Sequence, residues 1–260
     1  MDGVIVAGAA AWIAGRWVAT AADLGLPPVA TSVRAAVDVS AFAATPRIAR
    51  ADRLTRLVAM VAGRALLAPP DPSSIESRSV IVASTLASSH TNEAFERRRM
   101  STGRPVPRDF PYTAPNAAAG ELAAALQARG PTLALVGGMD VGLAAIERAC
   151  RWTRDGNCDR AIVVVAECPP DHASVVAPAG VEPIECAAAF VLQRGHADSR
   201  VHPAISARWS AASDTVPARW EPMLSVAPIA RLVAAWHERV SAEVVCAQQT
   251  GAVLRAAIEW

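Results

Sequence analysis

The chain has no lysine; its 25 basic Lys/Arg side chains are all arginine. A GC-rich coding sequence is the simplest cause. The chemical consequence is firm: no step can use a lysine amine as nucleophile or Schiff-base former. Metal-type spacing is missing too. The five cysteines, Cys150, Cys158, Cys168, Cys186 and Cys246, form no CxxC pair and no Cys/His cluster. That argues against a zinc site and for small buried thiols in a reducing compartment. There is no Rossmann GxGxxG and no Walker A motif, and the pair Gly137-Gly138 alone is a weak phosphate signal. A net charge of +1 gives no reason to expect nucleic acid or a charged membrane surface as partner. No apolar run reads as a membrane span. The apolar N-terminus (MDGVIVAGAAAWI) lacks a basic leader, so it reads as a first core strand, and the chain is expected to be cytoplasmic.

What is present is apolar surface in quantity: 52% of the 260 residues are hydrophobic, enough for one large α/β domain or two small ones. Buried strands are predicted at 4–10, 79–83, 132–136, 161–166, 186–193 and 204–209, with a closing pair at 244–248 and 253–258. Helices are predicted at 52–67, 116–129, 140–154 and 226–239. In the first of these, Leu54, Leu57, Val58, Val61, Ala62 and Ala65 follow the 3.6-residue period and leave the arginines outside the apolar set. Pro228 must then lie in the first turn of the last helix, and Gly156 closes the helix before it as a left-handed cap would. Residues 15–40 and 210–221 read as irregular, 104–115 as a proline-rich connection, and Arg97, Arg98 and Arg99 as a solvated face. Short strands alternating with helices give the α/β class.

The run GPTLALVGGMDVGLAAI, residues 130–146, holds the most informative residue. A short apolar strand reaches Gly137-Gly138 and turns into a helix from about Asp140. A residue at that elbow faces a helix N-terminus, whose free N–H groups and dipole lower a thiol pKa. A cysteine there would be a nucleophile. The residue is Met139, whose thioether has no proton to lose.

Several pieces resemble the β-ketoacyl synthases of the thiolase-like fold, in that family's order: DFPYTAPNAAAGELA from Asp109, QARGPT from Gln127, GLAAIERAC from Gly142, NCDRAIVVVAE from Asn157 and ECAAAFVLQR from Glu185. The resemblance implies a layered αβαβα fold. A single ketosynthase-like domain would span 1–260, with a complete N-terminal half at 1–195 and an abbreviated C-terminal half at 196–260. It also places Met139 at the family's nucleophile cysteine. The family's second half supplies two histidines and a lysine; none of His90, His172, His196, His202 or His237 lies in a matching context. Pro222-Met223 stands where a Gly-His pair is expected, and the shortfall lies between about Ser213 and Glu221. Condensation in this family needs a thiolate for the acyl chain and two histidines for decarboxylation and enolate stabilisation. With these roles vacant, the resemblance implies no catalytic residue, no metal and no resident cofactor, the acyl chains arriving on the phosphopantetheine of a carrier protein.

The protein therefore looks like a chain length factor of type II polyketide or aryl polyene-type systems: a silent subunit that heterodimerises with a catalytic ketosynthase, receives an acyl carrier protein, and shapes the acyl tunnel. Phe110, Tyr112, Thr113, Asn116 and Met139 are the expected tunnel or interface residues. Plainer readings stand beside these: Phe110 and Tyr112 as packed loop aromatics, Met139 as core filler, Asn116 as a helix cap, and the late tryptophans, Trp209, Trp220, Trp236 and Trp260, as interface anchors. Two other functions stay open: an acyltransferase using another cysteine such as Cys150, and a scaffold whose Arg97–Arg99 dock an acidic carrier protein.

Overall fold

The computed structural model describes residues 3–24, 35–42, 44–66, 77–171, 183–195, 203–210, 225–247 and 253–260. Among them, short apolar runs form the strands β1 (Gly3–Ile13), β3 (Arg78–Ser84), β4 (Thr132–Val136), β5 (Arg160–Glu167) and β6 (Cys186–Gly195). β5 is buried along its whole length, which is why its sequence shows no polar alternation. β2 (Arg16–Trp17) folds back on β1, and β7 (Ala204–Ser210), β8 (Ala242–Ala247) and β9 (Val253–Glu259) follow. The strand order is β4-β3-β5-β6-β1-β7-β9-β8. β3 runs parallel to β4 and β5, while β6 is antiparallel to β5 and β1.

The seam between β1 and β7 is narrow, with one register pair, Ile5 with Ala204, and a bond from the Val6 N–H to the Pro203 carbonyl at 3.0 Å. It joins a five-stranded sheet to the three strands β7-β9-β8. Helices α6 (Val141–Arg154) and α7 (Val226–Glu238) lie between the two parts, α6 against β5, β7 and β9, α7 against β6 and β8. Helices α3 (Arg53–Leu66) and α5 (Ala117–Ala125) cover the other face of the first sheet. The core is thus two apolar clusters, one on each face of the five-stranded sheet. This is the layered α/β arrangement expected, through its first four layers. On the outer face of β7-β9-β8 the side chains are Ser206, Arg208, Glu243, Arg255 and Glu259, and among the described residues no helix covers them.

The structure departs from the sequence reading in places. α1 (Ala21–Leu24) and β2 lie inside a stretch read as irregular, the short α2 (Pro46–Arg50) stands where no helix is predicted, and α5 stops earlier than expected. Residues 96–99 belong to a helix, α4 (Ser89–Thr102), of which only Thr91 is buried. It has no apolar face to betray it. It rests on helix-forming residues, an i,i+4 pair of Glu93 with Arg97 at 2.9 Å and a left-handed stop at Gly103 (φ 68°). Residues 211–221 of the segment read as weakly structured lie outside the described residues, as do Trp220, His172, His196 and His202.

Candidate functional site

The elbow forms as the sequence implies. β4 lies in register with β3, Ser84 opposite Val136, and the Gly137 N–H reaches the Ser84 carbonyl at 3.4 Å. The Val141 N–H then bonds the Gly138 carbonyl at 3.1 Å and opens α6. The glycines serve space here: a Cβ on Gly137 would meet the Val141 side chain at 3.3 Å, and one on Gly138 the Asp140 Oδ1 at 3.1 Å. Gly142, one residue into α6, lets α7 approach; a Cβ there would lie 2.5 Å from the Ser225 carbonyl oxygen. Met139 stands half-buried at the head of α6, just before the N-cap residue Asp140, whose side chain makes no capping bond.

Directly behind the elbow is a group the sequence did not single out. Glu167, at the C-terminal end of β5, is fully buried. It accepts the N–H groups of Thr85 at 2.7 Å and Leu86 at 2.9 Å, the Ser84 hydroxyl at 3.0 Å and the Ser225 hydroxyl. One carboxyl group thereby ties β5 to the loop after β3 and to the N-terminus of α7. The same loop holds the elbow and the proline-rich connection: the Thr85 hydroxyl donates to the Gly138 carbonyl at 3.3 Å, and the Ser88 hydroxyl to the Thr113 carbonyl at 2.7 Å. A carboxylate closing an otherwise apolar strand is the one signal that could have exposed this group.

Burial pushes the Glu167 carboxyl above its ordinary value of 4.5, and the hydrogen bonds from Ser225, Thr85, Leu86 and Ser84 only partly offset it. Folding then favours the protonated form. The stabilisation is complete below the unfolded-chain value and disappears as pH rises through the raised native value. Urea unfolding across this range is expected to show wild type losing stability relative to Glu167→Gln as pH increases. A relative gain with pH would mean that the site prefers the carboxylate.

The expected tunnel residues divide. Phe110 and Thr113 share a 3-10 turn, Phe110–Thr113, closed by the Thr113 hydroxyl on the Phe110 carbonyl at 2.7 Å. Phe110 is 64% exposed, with its ring 6.1 Å from that of Phe95 on α4. Tyr112 is half-buried in the field of Glu121, Arg47, Asp52 and Arg108, and burial raises its phenol pKa. Asn116 stands at the N-cap of α5, as its helix-cap reading has it, with its carbonyl accepting the Gly120 N–H at 3.0 Å, but its side chain makes no capping bond. Thr113 and Met139 flank opposite ends of the loop 85–88, and that loop is the link between them.

The rival sites fare poorly. Cys150 is 1% exposed and its thiol is pushed up to about 12 by burial. It lies about 14 Å down α6 from Val141, by helical rise. Iodoacetamide on native protein at mild pH is expected to leave Cys150 unmodified and to label the half-buried Cys246 first; rapid alkylation of Cys150 would revive the nucleophile reading. Arg97 is engaged by Glu93 and Asp171, Arg98 by Asp109 and Arg99 by Glu96, so the triad is largely neutralised within its own surface. His90 is on α4 and His237 in the last turn of α7. His237 is about 18 Å along α7 from the Ser225 end that meets Glu167. Among the described residues no group of His, Cys, Asp or Glu is placed to hold a metal, and no helix is long and apolar enough to cross a membrane.

The sequence profile of the β-ketoacyl synthase N-terminal domain matches residues 16–181, more than half of the chain. The chain belongs to the β-ketoacyl synthase family. No curated protein matches it. As a family member it is similar to solved structures over nearly its whole length, and these likenesses establish the thiolase-like fold. One is the ishigamide ketosynthase/chain length factor, with 18% identity, TM-score 0.68, and 99% of each chain covered. Another is the ketosynthase ApeO in complex with its chain length factor ApeC from Xenorhabdus doucetiae, with 14% identity, TM-score 0.69, and 98% and 99% covered. A third is AntDE:AntF, a type II polyketide acyl-carrier protein in complex with its ketosynthase bound to the hexaketide, with 13% identity, TM-score 0.72, and 100% and 99% covered.

Proposed function

We propose that this β-ketoacyl synthase family member is a non-catalytic chain length factor. It pairs with a catalytic β-ketoacyl synthase, takes no cofactor of its own, and helps wall the tunnel for acyl chains that a carrier protein delivers. The observation that carries this reading is Met139 at the head of α6. The helix N-terminus that would activate a thiolate faces a side chain unable to ionise. The similar structures support it further, being assemblies of ketosynthases with chain length factors or a carrier protein.

The partner face follows from β4. This strand ends the sheet on one side, and its apolar residues are only half-covered, with Val136 54% exposed. Phe110 on the 3-10 turn and Met100 on α4, 64% and 78% exposed, are further apolar side chains open to solvent. An apolar edge strand left open is a pairing site and an aggregation hazard unless another chain covers it. The partner's equivalent region fits as that cover, which brings Phe110, Tyr112, Thr113, Asn116 and Met139 toward the shared tunnel.

The test is reconstitution with a catalytic β-ketoacyl synthase from the same source and a carrier protein. Removing bulk by Phe110→Ala or Tyr112→Ala is expected to shift the product to longer chains at unchanged assembly, because the overpacking that stops elongation, about 1–3 kcal/mol, is relieved. Unchanged chain length in both variants, with the complex intact, would refute the tunnel role. Activity of this chain alone toward acyl thioesters would refute the silent role.

A further inference from the structure

The outer face of β7-β9-β8 carries a feature unrelated to the β4 edge, which ends the sheet on the other side. It is a concavity of about 410 Å³ whose rim includes Ser206, Arg208, Ser241, Glu243, Arg255 and Glu259. Register explains its shape. Along β9, Arg255, Ala257 and Glu259 point outward, so a small residue lies between two long ones and leaves a dip. Register also creates a conflict. Arg208 on β7 lies directly opposite Arg255 on β9, and both line the dip. Like charges at directly opposed sheet positions destabilise the pairing. Compensation is slight: Glu243 reaches Arg255 at 3.7 Å, and Arg208 has no ion pair among the described residues.

We propose that this concavity is a binding site for a small phosphate monoester. A doubly charged oxyanion placed between the two guanidinium groups turns their repulsion into two charge-assisted contacts. Ser206, one row along β7, offers a hydroxyl to a further phosphate oxygen. The other end of the dip is acidic through Glu259, about 13 Å along β9 by strand rise, and suits a hydroxyl or amine on the organic part of the ligand.

The experiment uses the full chain and three salts at matched ionic strength: inorganic phosphate, acetate and chloride. Phosphate is expected to raise the melting temperature saturably, and acetate and chloride are not. Arg208→Ser is exposed and relieves the like-charge contact, so it is expected to raise the melting temperature without ligand while abolishing the phosphate response. Arg255→Ala is expected to weaken phosphate by about tenfold or more, the loss of a hydrogen-bonded charged partner, and Glu243→Gln to tighten it. Equal responses to all three salts, as screening alone gives, would overturn the proposal. So would a phosphate response that survives in Arg208→Ser.

Discussion

Val136→Arg is expected to separate this chain from the catalytic partner proposed for it without unfolding it. Val136 is 54% exposed at the end of β4, so the substitution costs the isolated chain within about 0.5 kcal/mol, as other surface changes do. In the proposed pair the same position would lie at the strand edge that the partner covers. A guanidinium buried there without a counter-charge forfeits a central apolar contact and adds desolvation. Substitutions of that kind cost about 2–4 kcal/mol of binding, roughly 30- to 1000-fold in affinity. Co-purification and analytical ultracentrifugation read the outcome. Assembly that survives Val136→Arg at wild-type affinity would place the partner elsewhere. A melting temperature that collapses in the isolated chain would show that β4 is already covered by its own fold.

Glu167→Leu is expected to be the most destabilising single change among the site residues. The side chain is fully buried and receives two backbone N–H groups and two hydroxyls. Leucine fills similar space and leaves those donors facing hydrocarbon. Each unsatisfied buried group costs about 1–3 kcal/mol, and partial relaxation brings the total to about 3–5 kcal/mol. Denaturant unfolding measures this, with Glu167→Gln as the control. An amide keeps one oxygen, enough for either the Thr85 or the Leu86 N–H, which bond different carboxyl oxygens, and a serine hydroxyl can accept from its nitrogen, so the control is expected to lose less than the leucine variant. Equal losses in the two variants would mean that the ionised charge, rather than hydrogen-bond satisfaction, holds the loop. Since that loop carries both Gly138 and Thr113, Glu167→Leu is also expected to impair pairing at temperatures where the chain remains folded.

The elements that could be read in advance share one property. The core strands β1, β3, β5 and β6 are unbroken apolar runs, and α3 and α6 carry a clear apolar stripe with arginines off it. Pro228 does lie in the first turn of α7, where its missing N–H is harmless. α4 escaped because it has almost no buried face, and a helix held by ion pairs and a glycine stop leaves no periodic trace. Asn116 does take the N-cap position of α5, but its side chain makes no capping bond, a detail of geometry that residue type alone leaves open.

The sequence by itself determined the α/β class, the elbow at Gly137–Asp140 and the chemistry forbidden to Met139, because apolar period, turn residues and the acidity of a side chain are local properties. Only the tertiary structure decided that Glu167 joins Ser84, Thr85, Leu86 and Ser225, that β4 ends the sheet with no further strand beside it among the described residues, and that Arg208 faces Arg255. Those depend on strand order and register between segments far apart in the chain. Register is fixed by which faces bury together, and no single segment carries that information.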